Sequence, residues 1–248
     1  MNQLNSISVV DGRYRKHVEQ LEDIFSEYGL IKTRVCVEIE WLLFILNDLG
    51  LHPLSKDETE SVRSISEGFN RESAVMVKNI EKTTNHDVKA VEYYIKKELE
   101  NRKLEKIKEW VHFCCTSEDI NNISYALMFE NGRKIIVENL EELLNSLEFF
   151  GKKYKGTPMM SRTHGQPATP TTVGKEFINF ASRILREKDL FEKISAECKI
   201  NGATGNFNAH FFVKPEIDWI DASSKFITAK LRLKPLLWTT QINNYHYI

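Results

Sequence analysis

Apolar residues recur at three- and four-residue steps along most of this chain, and that period predicts helices. From about residue 22 to 49, Ile24, Phe25, Tyr28, Ile31, Val35, Ile39, Leu42, Leu43 and Leu46 form one stripe. Gly50 and Pro53 follow as stop signals. Ser55-Lys56-Asp57-Glu58 is a capping box that opens the next helix. A further helical piece covers about 73–80. Another begins after Thr83-Thr84-Asn85-His86-Asp87, with Val88, Val91, Tyr94 and Ile95 at helical spacing. Thr116-Ser117-Glu118-Asp119 repeats that arrangement and starts a helix expected over 118–154, with a bend near Gly132. Helices are also expected over 174–197 and 218–231. Strand alternation is nearly absent. The pattern predicts an all-α protein, with a smaller N-terminal helical domain over 1–112 and the first part of a long-helix bundle over 113–248.

One stretch breaks the pattern, Ser161-Arg162-Thr163-His164-Gly165-Gln166-Pro167-Ala168-Thr169-Pro170-Thr171-Thr172. Gly165, Pro167 and Pro170 punctuate it too often for a helix. Two prolines also argue against a strand, because they remove ladder donors. It reads as a rigid polar turn between two long helices, a place where a helical scaffold can put chemistry on His164. Turn chemistry by itself also accounts for every Gly and Pro here. Two other polar loops share that position at helix ends, those around His86 and around Thr116-Ser117. Unpaired N–H groups at a helix N-terminus attract anions. An ordinary cap is the plainer reading of His86. Near the start, Val9-Val10-Asp11-Gly12-Arg13-Tyr14 reads as a short extended arm with an Asp-Gly turn. Its Arg13 is suited to an anion and its Tyr14 to stacking on a ring. A second loop rich in Gly and Asn spans 199–210. Its small residues permit close approach of a ligand or of another backbone, and a plain connection between helices is the alternative.

Composition narrows the function classes. The 248 residues are 42% hydrophobic, enough for a packed core, and the formal net charge is −1. That balance excludes a general nucleic-acid binder and any charge-driven attraction to membranes. The apolar run near Trp41 is too short to span a bilayer. No signal peptide is expected at the N-terminus. Cys36, Cys114, Cys115 and Cys198 have no zinc-site spacing and read as reduced thiols of a cytoplasmic protein.

Taken together, Asp11-Gly12-Arg13-Tyr14, Thr83 through Glu92, Cys115-Thr116-Ser117-Glu118-Asp119-Ile120-Asn121, Ser161 through Pro170 and Asn201 through His210 resemble the fumarase/aspartase superfamily. Within it they are most similar to the branch that cleaves adenylosuccinate. The Thr-His-Gly-Gln-Pro-Ala-Thr-Pro match is strong, because the other motifs stand in the family's order. The resemblance implies elimination of fumarate from adenylosuccinate to give AMP, and from SAICAR to give AICAR. By that resemblance His164 is the general acid and His86 the second active-site histidine. Thr116 and Ser117 bind substrate carboxylates, Arg13 and Tyr14 contact the nucleotide, and Asn85, Asp87 and Gln241 complete the substrate-binding set. No cofactor and no metal is expected.

The family resemblance further implies a homotetramer whose active sites gather residues from three subunits. Its members use a serine base on a flexible Ser-Ser-x-Met-Pro-x-Lys-x-Asn loop, and no such segment occurs in these 248 residues. The chain therefore resembles an N-terminal part of such an enzyme, expected to be inactive by itself. A family departure stands at Asn243-Asn244, where acidic residues are usual. The alternative from another class is a non-catalytic helical interaction scaffold, and a sister lyase for argininosuccinate or fumarate is a third reading.

Overall fold

The structure is a computed structural model, and it describes residues 6–246. It is helical, as the periodicity predicts. The helices are α1 (Glu22–Phe25), α2 (Glu27–Leu43), α3 (Lys56–Glu67), α4 (Arg71–Thr84), α5 (Asp87–Asn101) and α6 (Ser117–Lys153). A hairpin of β1 (Pro158–Thr163) and β2 (Gln166–Thr172) leads into α7 (Val173–Lys193). Then come a two-residue strand β3 (Glu197–Cys198), α8 (Asn208–Val213), α9 (Trp219–Lys225) and β4 (Lys234–Pro235), which pairs parallel to β3.

The helix expected over 22–49 is interrupted once. Ser26 takes an extended conformation and its hydroxyl caps α2 by accepting from the Gly29 N–H at 3.2 Å. The turn is tight at Gly29, where a Cβ would come within 2.6 Å of the Asp23 carbonyl. At its far end α2 widens into a π-turn over Phe44–Asp48. The capping box at the start of α3 forms as read: Ser55 Oγ accepts from Glu58 N–H, and Glu58 returns the bond to Ser55 N–H. The helix expected to reach residue 197 stops at Lys193, since Glu197 and Cys198 pair with the segment before Leu236. The arm over 9–14 is not extended. It folds into hydrogen-bonded turns, Gly12 N–H to Ser8 C=O at 3.0 Å and Tyr14 N–H to Val9 C=O at 2.9 Å.

The described residues belong to two compact units, Met1–Gly132 with Ala196–Ile248, and Arg133–Ser195. This division differs from the boundary expected at 112. The reason lies in the aromatic core of the first unit. Trp41 of α2 is fully buried, and its indole N–H donates to the Phe113 carbonyl at 3.0 Å. Phe226 meets the Trp41 ring at 5.0 Å and Phe44 at 5.3 Å, and Trp219 lies 6.4 Å from Trp41. The late segment thus supplies core to the early helices, and residues on both sides of 112 pack into it.

His210 is enclosed in this core by Trp219, Phe207 and Trp41, at ring separations of 4.9, 5.4 and 6.4 Å. Among the described residues, neither ring nitrogen has a hydrogen-bond partner. Burial, helped by the charge of Lys199, pushes its pKa down to about 4. Above about pH 6.5 both folded and unfolded chains hold this imidazole neutral and the effect vanishes. As pH falls from there, only the unfolded chain takes up the proton, so stability is lost until about pH 4, where the folded form also protonates. The full loss is about 3 kcal/mol at 1.36 kcal/mol per unit. Urea titrations between pH 7 and 4 are expected to show this component vanish in His210→Phe.

In the second unit, α7 packs on the later turns of α6. Phe177 stacks on Phe150 at 5.4 Å and on Tyr154 at 6.5 Å. Lys188 bridges Glu141 at 3.3 Å and Glu192 at 3.0 Å. The 161–172 stretch is a correction to the sequence reading, because it forms an antiparallel hairpin instead of an irregular turn. A two-stranded ribbon leaves open edges on both sides, where proline is tolerated. The register is also irregular between Met160 and Arg162, beside the Met160–Pro170 and Arg162–Pro167 pairs.

Candidate functional site

In the first unit, three helix ends converge. α4 ends at Thr84, and Asn85 turns the chain by adopting the left-handed conformation at φ 51°, which asparagine tolerates better than most residues. His86 is then the N-cap of α5, and its Nδ1 accepts from the Lys89 N–H at 3.2 Å. That bond uses the Nδ1 lone pair, so a neutral His86 carries its proton on Nε2. Nε2 lies 3.4 Å from the Ser117 hydroxyl at the start of α6. The cap reading and the site reading of His86 are thus compatible: capping fixes the ring and leaves the Nε2–H toward the Ser117 hydroxyl.

Asp87 opens α5, and its carboxylate meets Arg34 at 2.7 Å and accepts from the Val88 N–H at 2.9 Å. Partial burial pushes the Asp87 pKa up, but the Arg34 charge and these bonds outweigh it and hold the group below its ordinary value. Arg34 is buried in α2 and also donates to Asn121 Oδ1 at 2.8 Å. A pocket of about 590 Å³ opens here, lined by Arg34, Lys78, Lys82, Asn85, His86 and Asp87 among others. Lys78 is paired with Glu27 and Glu81. Arg34→Met is expected to raise the Asp87 pKa, an effect that NMR titration of its carboxyl carbon would detect. An unmoved titration would show that Arg34 does not set this charge.

Thr116 lies just before α6, with its N–H donating to Asp119 Oδ2 at 2.8 Å. Asp119 is fully buried and also meets the equally buried Lys199 ammonium at 2.9 Å. Below the same loop, His112 pairs with the buried Glu38 at 2.6 Å. Burial lowers the His112 pKa, and the Glu38 charge and hydrogen bond more than offset that, so the net shift is upward.

Arg13 and Tyr14 are exposed in the turns before α1, with the guanidinium 5.7 Å from the Tyr14 ring. They are not among the pocket-lining residues. Gln241 is exposed, and the segment after it is tied to the first turn of α6. Asn243 N–H donates to Glu118 at 3.3 Å and the Tyr245 hydroxyl donates to it at 2.7 Å. Asn243, at the position of family departure, is buried and donates to Asn122 Oδ1 at 3.1 Å and to the Glu197 carbonyl at 2.8 Å. Its amide serves the fold there.

His164 belongs to the second unit and is exposed at the hairpin tip. Thr163 and Gln166 pair directly, so His164 and Gly165 form a two-residue loop with φ of 52° and 75°. Positive φ at both central positions is the type I′ signature, which matches the strand twist. Gly165 carries this conformation without strain, and histidine is enriched among the residues that tolerate it. The hairpin therefore holds the imidazole out from the backbone at a defined place.

Arg34, Glu38, Asp119 and Lys199 are the residues that sequence reading did not single out for the site. Arg34 and Glu38 did leave a signal: they interrupt the buried stripe of α2 at i and i+4, where an uncompensated charge is costly.

The sequence model of a family described as "Lyase" matches residues 12–241. The chain is 46% identical over 253 aligned residues to adenylosuccinate lyase of Buchnera aphidicola subsp. Schizaphis graminum, covering 100% of this chain and 55% of that protein. It is 42% identical to the Escherichia coli K12 adenylosuccinate lyase, with the same coverage. Against the Dictyostelium discoideum enzyme it is 43% identical, covering 99% of this chain and 55% of the relative. The chain thus spans about 55% of the length of these relatives. Among solved structures, fumarate lyase from Mesorhizobium sp. BNC1 superposes with a TM-score of 0.72 at 19% identity, over 88% of this chain and 48% of that one. The β-carboxy-cis,cis-muconate cycloisomerase of Acinetobacter calcoaceticus gives 0.69 at 18% identity, over 89% and 50%. These two likenesses concern the fold. The family match covers most of the sequence, residues 12–241, and the chain belongs to the lyase family.

Proposed function

We propose that this chain carries the amino-terminal share of an adenylosuccinate lyase, which eliminates fumarate from adenylosuccinate to give AMP and from SAICAR to give AICAR. The observation that carries this reading is the meeting of two helix N-termini at His86 and Ser117, beside the Arg34–Asp87 pocket. It stands in a chain 42–46% identical to adenylosuccinate lyases along its whole length. The elimination needs a base for the proton beside a carboxylate, donors for the developing aci-carboxylate, and an acid for the leaving nitrogen. His164 is assigned the acid. Thr116, Ser117 and the Nε2–H of His86 are assigned to the anionic substrate groups, which helix N-termini favour. Arg13, Tyr14, Asn85, Asp87 and Gln241 are assigned to holding the rest of the substrate. The base is assigned to a serine outside these 248 residues, so the chain by itself is expected to bind but not to turn over. No step in this scheme calls for a metal or an organic cofactor.

We further propose a homo-oligomer, a tetramer by family resemblance, located in the cytoplasm. Phe180, Leu185 and Leu190 of α7 and Leu143 and Phe149 of α6 are exposed, which supports burial against further copies. Among the described residues no helix is long and apolar enough to cross a membrane. Sedimentation at micromolar concentration is expected to show self-association, and a strictly monomeric chain would count against it.

The function is tested by calorimetry of AMP binding to this chain, with His86→Ala and Arg13→Ala as controls. Fumarate release from adenylosuccinate is then measured after the chain is joined to the carboxy-terminal portion of the Escherichia coli relative. Binding that both substitutions abolish, with release in the joined protein, is expected. A folded joined protein that binds no AMP and releases no fumarate would overturn the proposal.

A further inference from the structure

The Asp119 carboxylate has donors on every side. Oδ2 accepts from the Thr116 N–H at 2.8 Å and from the Gly202 N–H at 3.1 Å. Oδ1 accepts from the Asn201 N–H at 3.2 Å and faces the Lys199 ammonium at 2.9 Å. The ammonium donates in turn to the Gly202 carbonyl at 3.0 Å. Asn122, one turn below, accepts from the Lys199 N–H at 2.8 Å and donates to the Lys199 carbonyl at 3.0 Å. Asn201 extends the chain of bonds outward, its side chain donating to Thr239 Oγ1 at 2.9 Å and to the Leu237 carbonyl at 3.3 Å. Asp119, Lys199, Asn122 and Asn201 are all buried.

These bonds join three stretches that are distant in sequence: the Thr116-Ser117 loop, the Gly/Asn-rich loop at Asn201-Gly202, and the strand of chain leading to Gln241. Each of the first and last carries residues assigned above to substrate. A buried ion pair is a costly way to stabilise a fold, since well-packed apolar residues of similar volume do as well or better. It does supply direction. A carboxylate with three backbone N–H groups converging on it fixes those backbones relative to each other, where an apolar contact would let them slide.

We infer that Asp119, held by Lys199, is a positioning residue that sets the Thr116-Ser117 loop for the carboxylate end of the substrate and ties it to the loops at Asn201-Gly202 and Thr239. The inference rests on the lyase reading of the site. It gives the 199–210 loop a role as a clamp on the carboxylate-binding loop, in place of a plain connection. Asp119 does not itself touch substrate in this scheme.

The test compares the wild-type chain with Asp119→Asn and with the double variant Asp119→Asn/Lys199→Met, which leaves no unpaired buried charge if the single variant fails to fold. Two readouts are taken on each, amide hydrogen exchange and the affinities for fumarate and for AMP. In the double variant, exchange at Thr116 and Gly202 is expected to rise at least about ten-fold, while amides of α2 keep their protection. Fumarate affinity is expected to fall about ten-fold or more and AMP affinity to stay within about two-fold. A purely structural role would weaken both ligands together, and that result would overturn the inference, as would unchanged exchange at Thr116 and Gly202. If the wild-type chain binds neither ligand, the failure belongs to the lyase reading, and the exchange rates still decide whether Asp119 ties the loops.

Discussion

With His164 as the proposed general acid, replacing it by asparagine in the joined protein is expected to lower fumarate release from adenylosuccinate by about 10²–10⁴-fold, the usual contribution of such a group. Asparagine is the informative substitution. It tolerates the left-handed conformation that His164 adopts at φ 52°, so the two-residue turn and the β1–β2 register survive. The loss then reports on the imidazole and not on the hairpin. Cross-strand contacts between Thr163 and Gln166 in the NMR spectrum verify that the ribbon is intact. The loss is expected in kcat, because proton donation to the leaving nitrogen strengthens only in the transition state. A variant with an intact hairpin and a wild-type rate would remove His164 from the mechanism.

Lys199→Met is expected to destabilise the first unit by about 3–5 kcal/mol, because it strands a buried carboxylate without its counter-charge. At ordinary urea slopes this moves the unfolding midpoint down by about 1–2 M. Asp119 keeps three N–H donors in that variant, which limits the loss to the ionic partner. Adding Asp119→Asn in the same chain is expected to recover much of the loss, since the remaining group is neutral and can still accept from a backbone N–H. The double-mutant cycle therefore gives a large coupling between the two positions. Independent effects that add would show that the pair is not a unit.

The sequence by itself determined the helical class and most of the local architecture. Helix starts were legible at Ser55 for α3 and at His86 for α5, where a side chain caps its own backbone. Such caps act within three or four residues, so their chemistry is written locally. The polar loops at His86, Thr116-Ser117 and His164 were legible for the same reason, each being a break in a strong period.

Apart from the local Ser26 cap and the turns over 8–14, what was missed depends on partners distant in the chain. The hairpin at 158–172 was hidden because its prolines are harmless only when the strand edges stay open, and edge exposure is a tertiary fact. The division at 132 and the return of 196–248 were hidden because Trp219 and Phe226 can be matched to Trp41 and Phe44 only in space. Arg34 and Asp119 took their roles from Asp87, Asn121, Lys199, Asn201 and Gly202. A charge on a buried stripe announces that some partner exists. Only the tertiary structure decides which one, because the low-dielectric interior rewards whatever donor or acceptor the packing brings within hydrogen-bond reach.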